Sequence, residues 1–215
     1  TTMKIITGCL NDYQGEVRIK QMNLRENPLK IKAIIGYLPE QNPLYPDLYI
    51  REYLLHVTRL YRVGRPVAKV NAIIERTGLE PEIQKKIGQL SKGYRQRVGL
   101  AQALIHDPLA IFADEPTAGL DPEERVRFRN LFSEIGLKKT VLLSTHITED
   151  ITAAASQLSV LHHGRIIFSG AAAELIKKAE RRVWSTTLSN EDWELFKAQN
   201  LIHSFITDPA TGQVT

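Results

Sequence analysis

The sequence has a single cysteine, few aromatic residues and no long apolar run. Cys9 excludes an internal disulfide framework and fits a reducing compartment, and we expect it to be a small core residue. No apolar segment approaches the roughly 18 residues that a membrane-spanning helix needs. The chain is therefore not expected to cross a membrane by itself.

Strong charge of either sign is also missing. The 28 Lys and Arg residues exceed the 24 Asp and Glu residues by only four, and the basic residues are spread along the chain. This composition does not indicate nucleic-acid binding. The hydrophobic content of 43% is enough for one substantial domain with a small appendage.

Strand and helix patterns alternate through the first two thirds of the chain. The strand patterns cover residues 16–20, 34–38, 109–113 and 140–144. The helix patterns cover residues 50–63 and 67–77, and further helices begin near Ser91 and Pro122. Apolar strands that alternate with helices predict a parallel sheet covered on both faces, and hence an α/β fold. Later segments predict strands within 158–170, a helix at 171–181 and a last element at 183–188.

Two adjacent carboxylates, Asp114 and Glu115, follow the apolar run 109–113. The carboxyl end of a central parallel strand is where open α/β sheets bind ligands. One carboxylate there can hold a hydrated Mg²⁺ ion, while the other orients or deprotonates a water molecule. Taken alone, the pair is equally compatible with a solvated acidic turn.

Four other motifs stand in a fixed order around this pair. They are GYLPEQNPLYP with Gln41, LSKGY at 90–94, AGLD at 118–121 and STH at 144–146. Together with LAIFADE, they closely resemble the glutamine loop, signature motif, D-loop, switch histidine and Walker B strand of the nucleotide-binding domain of ATP-binding cassette (ABC) transporters. The resemblance covers nearly the whole chain.

This resemblance implies a fold and a domain plan. The fold is a P-loop NTPase core with a mostly parallel sheet, an N-terminal antiparallel β portion and a helical signature subdomain at about 47–105. The ATPase domain then covers 1–178, and a small appendage covers 179–215.

The resemblance also implies roles for individual residues. Asp114 and Gln41 hold Mg²⁺, Glu115 acts on the hydrolytic water, and His146 bonds the γ-phosphate. The ATP contacts are expected to be Thr1, Thr2, Gln41, Ser91, Lys92, Gly93 and Asp121.

The signature residues have a physical rationale. Ser91 can cap a helix whose amino end favours an anion, and Gly93 lets the backbone approach a phosphate. In the family that phosphate belongs to ATP on a second copy, because two domains close head to tail. The sequence departs from the common LSGGQ at Lys92 and Tyr94.

The opening TTMKIITG reads as the helix that follows a Walker A loop, with Gly8 as its capping glycine. The printed sequence holds no Walker A motif, so we expect the 215-residue chain alone to be inactive. The resemblance favours Thr1 as the residue after the Mg²⁺-binding hydroxyl, and the alternative is that Thr1 is that hydroxyl itself.

Tyr45, Leu48 and Tyr49 follow Gln41, where this family docks the coupling helix of its membrane partner. The alternative is that these side chains are core contacts of the next helix. The resemblance implies an exporter ATPase at the cytoplasmic face of the inner membrane, with a permease subunit and a second copy as partners, and no nucleic acid.

Two other classes of cassette ATPase fit less well. Ribosome-associated soluble ATPases usually carry two cassettes and a long charged linker, and neither is visible in this sequence. Chromosome-type ATPases carry a long coiled coil before the signature, but residues 42–89 contain no sustained heptads.

Overall fold

The computed structural model describes residues 1–148, 155–179, 186–199 and 202. The chain forms two compact units, Thr1–Ala155 and Ser156–Thr215. The domain limit expected at 178 remains a prediction.

The first unit is built on a three-stranded parallel sheet in the order β3–β4–β5. The strands are β3 (Ile35–Leu38), β4 (Ala110–Asp114) and β5 (Thr140–Ser144). The register places Leu38 beside Ala113 and Asp114 beside Ser144. Parallel neighbours require crossover connections, and the helices between these strands supply them.

Helices in the described part of this unit cover the sheet. They are α1 (Thr2–Ile6), α2 (Pro28–Ile34), α3 (Ile50–Leu60), α4 (Pro66–Arg76), α5 (Lys92–Leu104) and α6 (Pro122–Gly136). A short antiparallel pair, β1 (Arg18–Ile19) with β2 (Met22–Asn23), lies near the amino end. The predicted α/β class, the parallel sheet and the antiparallel portion are confirmed.

Two apolar clusters form the core, and β4 contributes to both. Ile111 and Ala113 belong to the larger cluster, with side chains of α3, α4, α5 and α6. Phe112 belongs to the smaller cluster, with Met3 of α1 and Ile31 of α2. Successive side chains of a strand point to opposite faces, so the sheet is covered on both sides, as its apolar strands predict.

Residues 1–38 also differ from expectation in two places. Cys9 is exposed, so its prediction as a core residue is wrong. The chain leaves α1 through Gly8, which has a left-handed φ of +68°, and Cys9 therefore lies beyond the helix face that packs inward. Helix α2 was not predicted.

The second unit contains an antiparallel pair, β6 (Leu158–His162) and β7 (Arg165–Gly170). Helices α7 (Ala172–Ala179) and α8 (Asn190–Gln199) follow. The pair and α7 match the predicted pattern, whereas α8 was not predicted. Of the element expected at 183–188, residues 183–185 lie outside the described residues. Among the residues that are described, no helix is long and apolar enough to span a bilayer.

Candidate active site

Asp114 and Ser144 close the ends of two neighbouring strands. The register pairs them directly, and Ser144 Oγ donates a hydrogen bond to Asp114 Oδ1. One step further on, the Glu115 amide donates to the Ser144 carbonyl at 3.0 Å. The parallel pairing therefore brings the first predicted carboxylate and the STH motif to one edge of the sheet.

Glu115 lies beside His146. Glu115 Oε2 is 2.9 Å from His146 Nδ1, and the histidine side chain is 76% exposed against 21% for the glutamate. That oxygen is buried but receives no hydrogen bond of acceptable geometry from the described residues. Apart from this close approach of the His146 ring, the buried oxygen makes no hydrogen bond to the described residues.

The backbone at Glu115 separates the two carboxylates. Glu115 has a left-handed φ of +47°, and its carbonyl accepts a hydrogen bond from the Ala118 amide at 3.1 Å. This turn follows β4 directly. Asp114 consequently contacts Ser144, whereas Glu115 lies beside His146.

Tyr37 on β3 adds to the surroundings of Asp114. Burial raises the pKa of Tyr37 to about 12, with smaller contributions from the charges of Asp114 and Cys9. Its hydroxyl is buried and makes no hydrogen bond within the described residues. Tyr37 therefore stays neutral at physiological pH and adds no negative charge of its own near Asp114. Its apolar neighbours in the sequence gave no signal of this position.

Ser91 caps the signature helix α5 as predicted. Its backbone is extended, and its Oγ accepts a hydrogen bond from the Tyr94 amide at 3.3 Å. The side chain itself is exposed. The amino end of this 13-residue helix therefore keeps orphan amides and a positive dipole end near the surface.

The signature motif lies against the D-loop of the same chain. A Cβ on Gly119 would lie 2.4 Å from Lys92 Nζ, so the lysine passes directly over that glycine. A Cβ on Gly93 would lie 3.1 Å from Glu124 Oε2. Asp121 caps α6, since its Oδ1 accepts from the Glu124 amide at 2.9 Å. These contacts join α5 and α6 at their amino ends.

The other predicted residues are at the surface of the first unit. Thr1 and Thr2 are exposed at the start of α1, and Thr1 makes no side-chain capping bond. Gln41 is exposed in the loop after β3. The structure gives none of the three a contact that assigns a role.

The predicted docking residues differ in exposure. Tyr45 is 53% exposed and Tyr49 is 40% exposed. Leu48 packs against the larger core cluster and offers less surface. The Tyr45 ring also packs edge-on against Tyr53, with centroids 5.7 Å apart.

The donor set fits Mg²⁺. Asp114 supplies a carboxylate, and Ser144 lies beside it with a hydroxyl. Within the described part of the chain, no group of three or more His, Cys, Asp or Glu residues is arranged to hold a metal. Mg²⁺ commonly takes only one or two carboxylates and completes its shell with substrate phosphates and water.

Comparison with known sequences identifies the family of the chain. The profile described as ABC transporter matches residues 1–118. The ABC transporter ATP-binding protein NatA of Bacillus subtilis is 33% identical over 185 residues, which are 84% of this chain and 75% of that protein. The Nod factor export ATP-binding protein I of Burkholderia pseudomallei is 33% identical over 180 residues, which are 82% of this chain and 59% of that protein.

A relative of lower identity and a solved structure indicate the same family. The bacitracin transport ATP-binding protein BcrA of Bacillus licheniformis is 29% identical, with 89% of this chain and 63% of that protein aligned. A solved ATP-binding subunit of an ABC transporter superposes with a TM-score of 0.73 at 26% identity, covering 86% of this chain and 78% of that one. The chain belongs to the ABC transporter family, as an ATP-binding domain with the P-loop NTPase fold of that family.

Proposed function

We propose that this chain hydrolyses ATP with Mg²⁺ and thereby powers export through a separate membrane permease subunit. The observation that carries the proposal is the pairing of Asp114 with Ser144 and of Glu115 with His146, at the ends of adjacent parallel strands. Phosphoryl transfer needs a positioned water and a stabilised phosphate, and these two pairs offer separate groups for the two needs.

Glu115 is the proposed base. Its carboxylate, of which Oε2 is buried, accepts a hydrogen bond from the attacking water and takes its proton as the water oxygen bonds to the γ-phosphorus. The bond from that phosphorus to the bridging oxygen breaks, and ADP carries the bridging oxygen away. His146, held 2.9 Å from Glu115, donates to a γ-phosphate oxygen.

Asp114 is the proposed metal carboxylate, and Gln41 brings an amide oxygen to the same ion. Bound Mg²⁺ would neutralise negative charge on the phosphate oxygens. The Ser144 hydrogen bond holds the Asp114 carboxylate in one orientation, which limits the reorganisation required when the ion binds.

The amino end of α5 supports the proposal that two copies of the chain act together. Ser91 is exposed at a helix end that favours anions, with Gly93 next to it. We propose that this end binds the γ-phosphate of ATP held by a second copy, so that two sites form at a head-to-tail interface. The further ATP contacts proposed are Thr1, Thr2, Lys92 and Asp121.

Export through a permease is supported by the relatives. Two of them are named for Nod factor export and for bacitracin transport. The exposed Tyr45 and Tyr49 supply an aromatic surface of the kind enriched in protein interfaces. We place the protein at the cytoplasmic face of the cell membrane, bound to its permease, without a nucleic-acid partner.

The central test uses a polypeptide that carries a phosphate-binding loop ahead of Thr1. Glu115→Gln keeps the size of the side chain but removes its charge, so ATP hydrolysis should fall about 100-fold or more while ATP binding survives. The variant should accumulate as an ATP-dependent dimer on gel filtration. Glu123→Gln, at an exposed glutamate of α6, is the matched control and should hydrolyse ATP normally.

Two further changes separate the roles. Ser91→Arg, added to Glu115→Gln, should abolish the dimer because it places bulk where the partner's phosphate must lie. Asp114→Asn should weaken the Mg²⁺-dependent part of ATP binding. Hydrolysis by Glu115→Gln at the unmutated rate would show that Glu115 is not the catalytic carboxylate.

A further inference from the structure

One side chain of α5 bonds to both neighbours of Gln41. Gln96 Nε2 donates to the Glu40 carbonyl at 3.2 Å, and Asn42 Nδ2 donates to Gln96 Oε1 at 2.5 Å. Gln96 is only 4% exposed, although it is a polar residue on a helix. Gln41 itself is exposed between these two anchored residues.

The chemistry of the groups fixes the direction of these bonds. A backbone carbonyl can only accept, so the Gln96 amide nitrogen must face Glu40. The Gln96 oxygen is then left for Asn42, whose amide nitrogen donates to it. Gln96 thus uses both ends of its carboxamide on the loop that carries Gln41.

Gly99 makes room for this contact. It lies three residues after Gln96 on α5, and a Cβ there would lie 2.6 Å from both Asn42 Oδ1 and Asn42 Nδ2. The Asn42 carboxamide therefore rests against the helix where a side chain is missing. Glycine costs helix stability relative to alanine, so its presence here is explained by the approach of Asn42.

We propose that Gln96 is a positioning residue that clamps the loop of Gln41 to the signature helix, so that the two move as one piece. The proposal rests on the function proposed above, in which Gln41 meets the metal and Ser91 meets the partner's phosphate. Gln96 is five residues after Ser91 on the same structural element. Separating loop and helix would leave buried polar groups without partners, which resists independent movement.

The clamp couples two binding events in one chain. When Gln41 turns toward metal and nucleotide, the start of α5 moves with it and is set for the second copy. The coupling is reciprocal for binding, so closure on the second copy should also tighten Mg²⁺ binding at Gln41. A broken clamp should weaken both without removing any group that contacts ATP.

Three variants break the clamp in different ways. Gln96→Ala removes both bonds, Asn42→Ala removes one, and Gly99→Ala displaces Asn42 from the helix side. The matched control is Gln102→Ala on the same helix, because Gln102 accepts a hydrogen bond from Tyr53 and not from the loop. If Gln96→Ala fails to fold, Gly99→Ala still tests the clamp, because alanine has a higher helix propensity than glycine.

The measurements use the polypeptide with its phosphate-binding loop. They are the thermal midpoint, the ATPase rate against Mg²⁺ concentration, and ATP-dependent dimer formation in the Glu115→Gln background. The clamp variants should raise the Mg²⁺ concentration for half-maximal rate by about fivefold or more and reduce the dimer fraction. Gln102→Ala should change the Mg²⁺ concentration for half-maximal rate by less than about twofold. This should hold even if Gln102→Ala lowers the thermal midpoint as much as the clamp variants do.

The results distinguish the two proposals. An unmutated polypeptide without ATPase activity would refute the proposed function and the clamp with it. If that polypeptide is active but Gly99→Ala and Gln96→Ala keep its Mg²⁺ dependence and dimer fraction, the clamp alone is wrong. An equal shift in Gln102→Ala would also overturn the clamp, because it would trace the effect to stability.

Discussion

Arg97 on α5 binds both carboxylate oxygens of Glu124 on α6. Arg97 Nε lies 3.1 Å from Oε2, and Arg97 Nη2 lies 2.5 Å from Oε1 and from Oε2. The third nitrogen, Nη1, donates to the Gly78 carbonyl at 3.0 Å. The side chains are only 8% and 15% exposed. This ion pair joins the signature helix to the helix that Asp121 caps.

Glu124→Ala should destabilise the protein strongly. It would leave the Arg97 guanidinium buried without its counter-charge, which typically costs about 3–5 kcal/mol in free energy of unfolding. Urea denaturation followed by circular dichroism would measure the loss. Glu123→Ala is the control, because Glu123 pairs with Arg127 at the surface and should cost about 1 kcal/mol or less. Equal losses in the two variants would contradict the importance of the buried pair.

His106 should make stability depend on pH. Its Nε2 donates to the Ile35 carbonyl at 2.9 Å, its ring stacks on Tyr61, and its buried Nδ1 has no partner within the described residues. Burial holds the pKa of His106 below its ordinary value of 6.5, and the charge of Lys139 acts in the same direction. The Ile35 hydrogen bond and the charge of Asp107 oppose this shift of the pKa only in part.

The direction in which stability changes with pH follows from proton binding by the folded and unfolded chains. Above the ordinary pKa the histidine is neutral in both the folded and unfolded states, so its contribution to stability is fully present. As the pH falls below 6.5 toward the depressed folded pKa, the unfolded chain binds a proton that the folded chain resists, and stability is lost. Thermal midpoints measured between about pH 7.5 and about pH 5.5 should therefore fall.

His106→Gln keeps a donor for Ile35 but cannot titrate, so it should flatten this decline. His56→Gln, at an exposed histidine of α3, is the control and should leave the slope nearly unchanged. A slope that stays the same in His106→Gln would assign the pH dependence to other groups.

Tyr45→Ala combined with Tyr49→Ala should separate docking from catalysis. Both rings are exposed, so the basal ATPase rate of the loop-bearing polypeptide should stay within about twofold, whereas assembly with the permease and stimulation by it should fall. Co-purification and ATPase assays in detergent would measure the two effects. Leu137→Ala, at an 83% exposed leucine after α6, is the control for loss of surface apolar area. Loss of cooperative unfolding in the double variant would instead support a core role for the tyrosines.

The sequence predicted those features that depend on local patterns. The apolar runs at 109–113 and 140–144 mark strands, and Ser91 marks the start of a helix, because a few neighbouring residues decide each of these choices. Helix α2 was missed because Leu29 to Lys32 alternates apolar and basic residues, which is typical of a strand.

Contacts between distant residues were not predictable in this way. Gln96 and Asn42 are 54 positions apart, and Arg97 and Glu124 are 27 apart. A polar run such as RQR at 95–97 is typical of a solvated helix face. Only the packing of α5 against the glutamine loop and α6 shows that Gln96 and Arg97 are buried.

The left-handed backbone at Glu115 has a consequence for engineering. Glycine and asparagine adopt this conformation more readily than glutamate, and strain of this kind costs of order 1–3 kcal/mol. A selection for thermal stability alone should therefore favour Glu115→Gly or Glu115→Asn. The more heat-resistant protein would have lost the carboxylate beside His146, so a stabilised library needs this codon held constant.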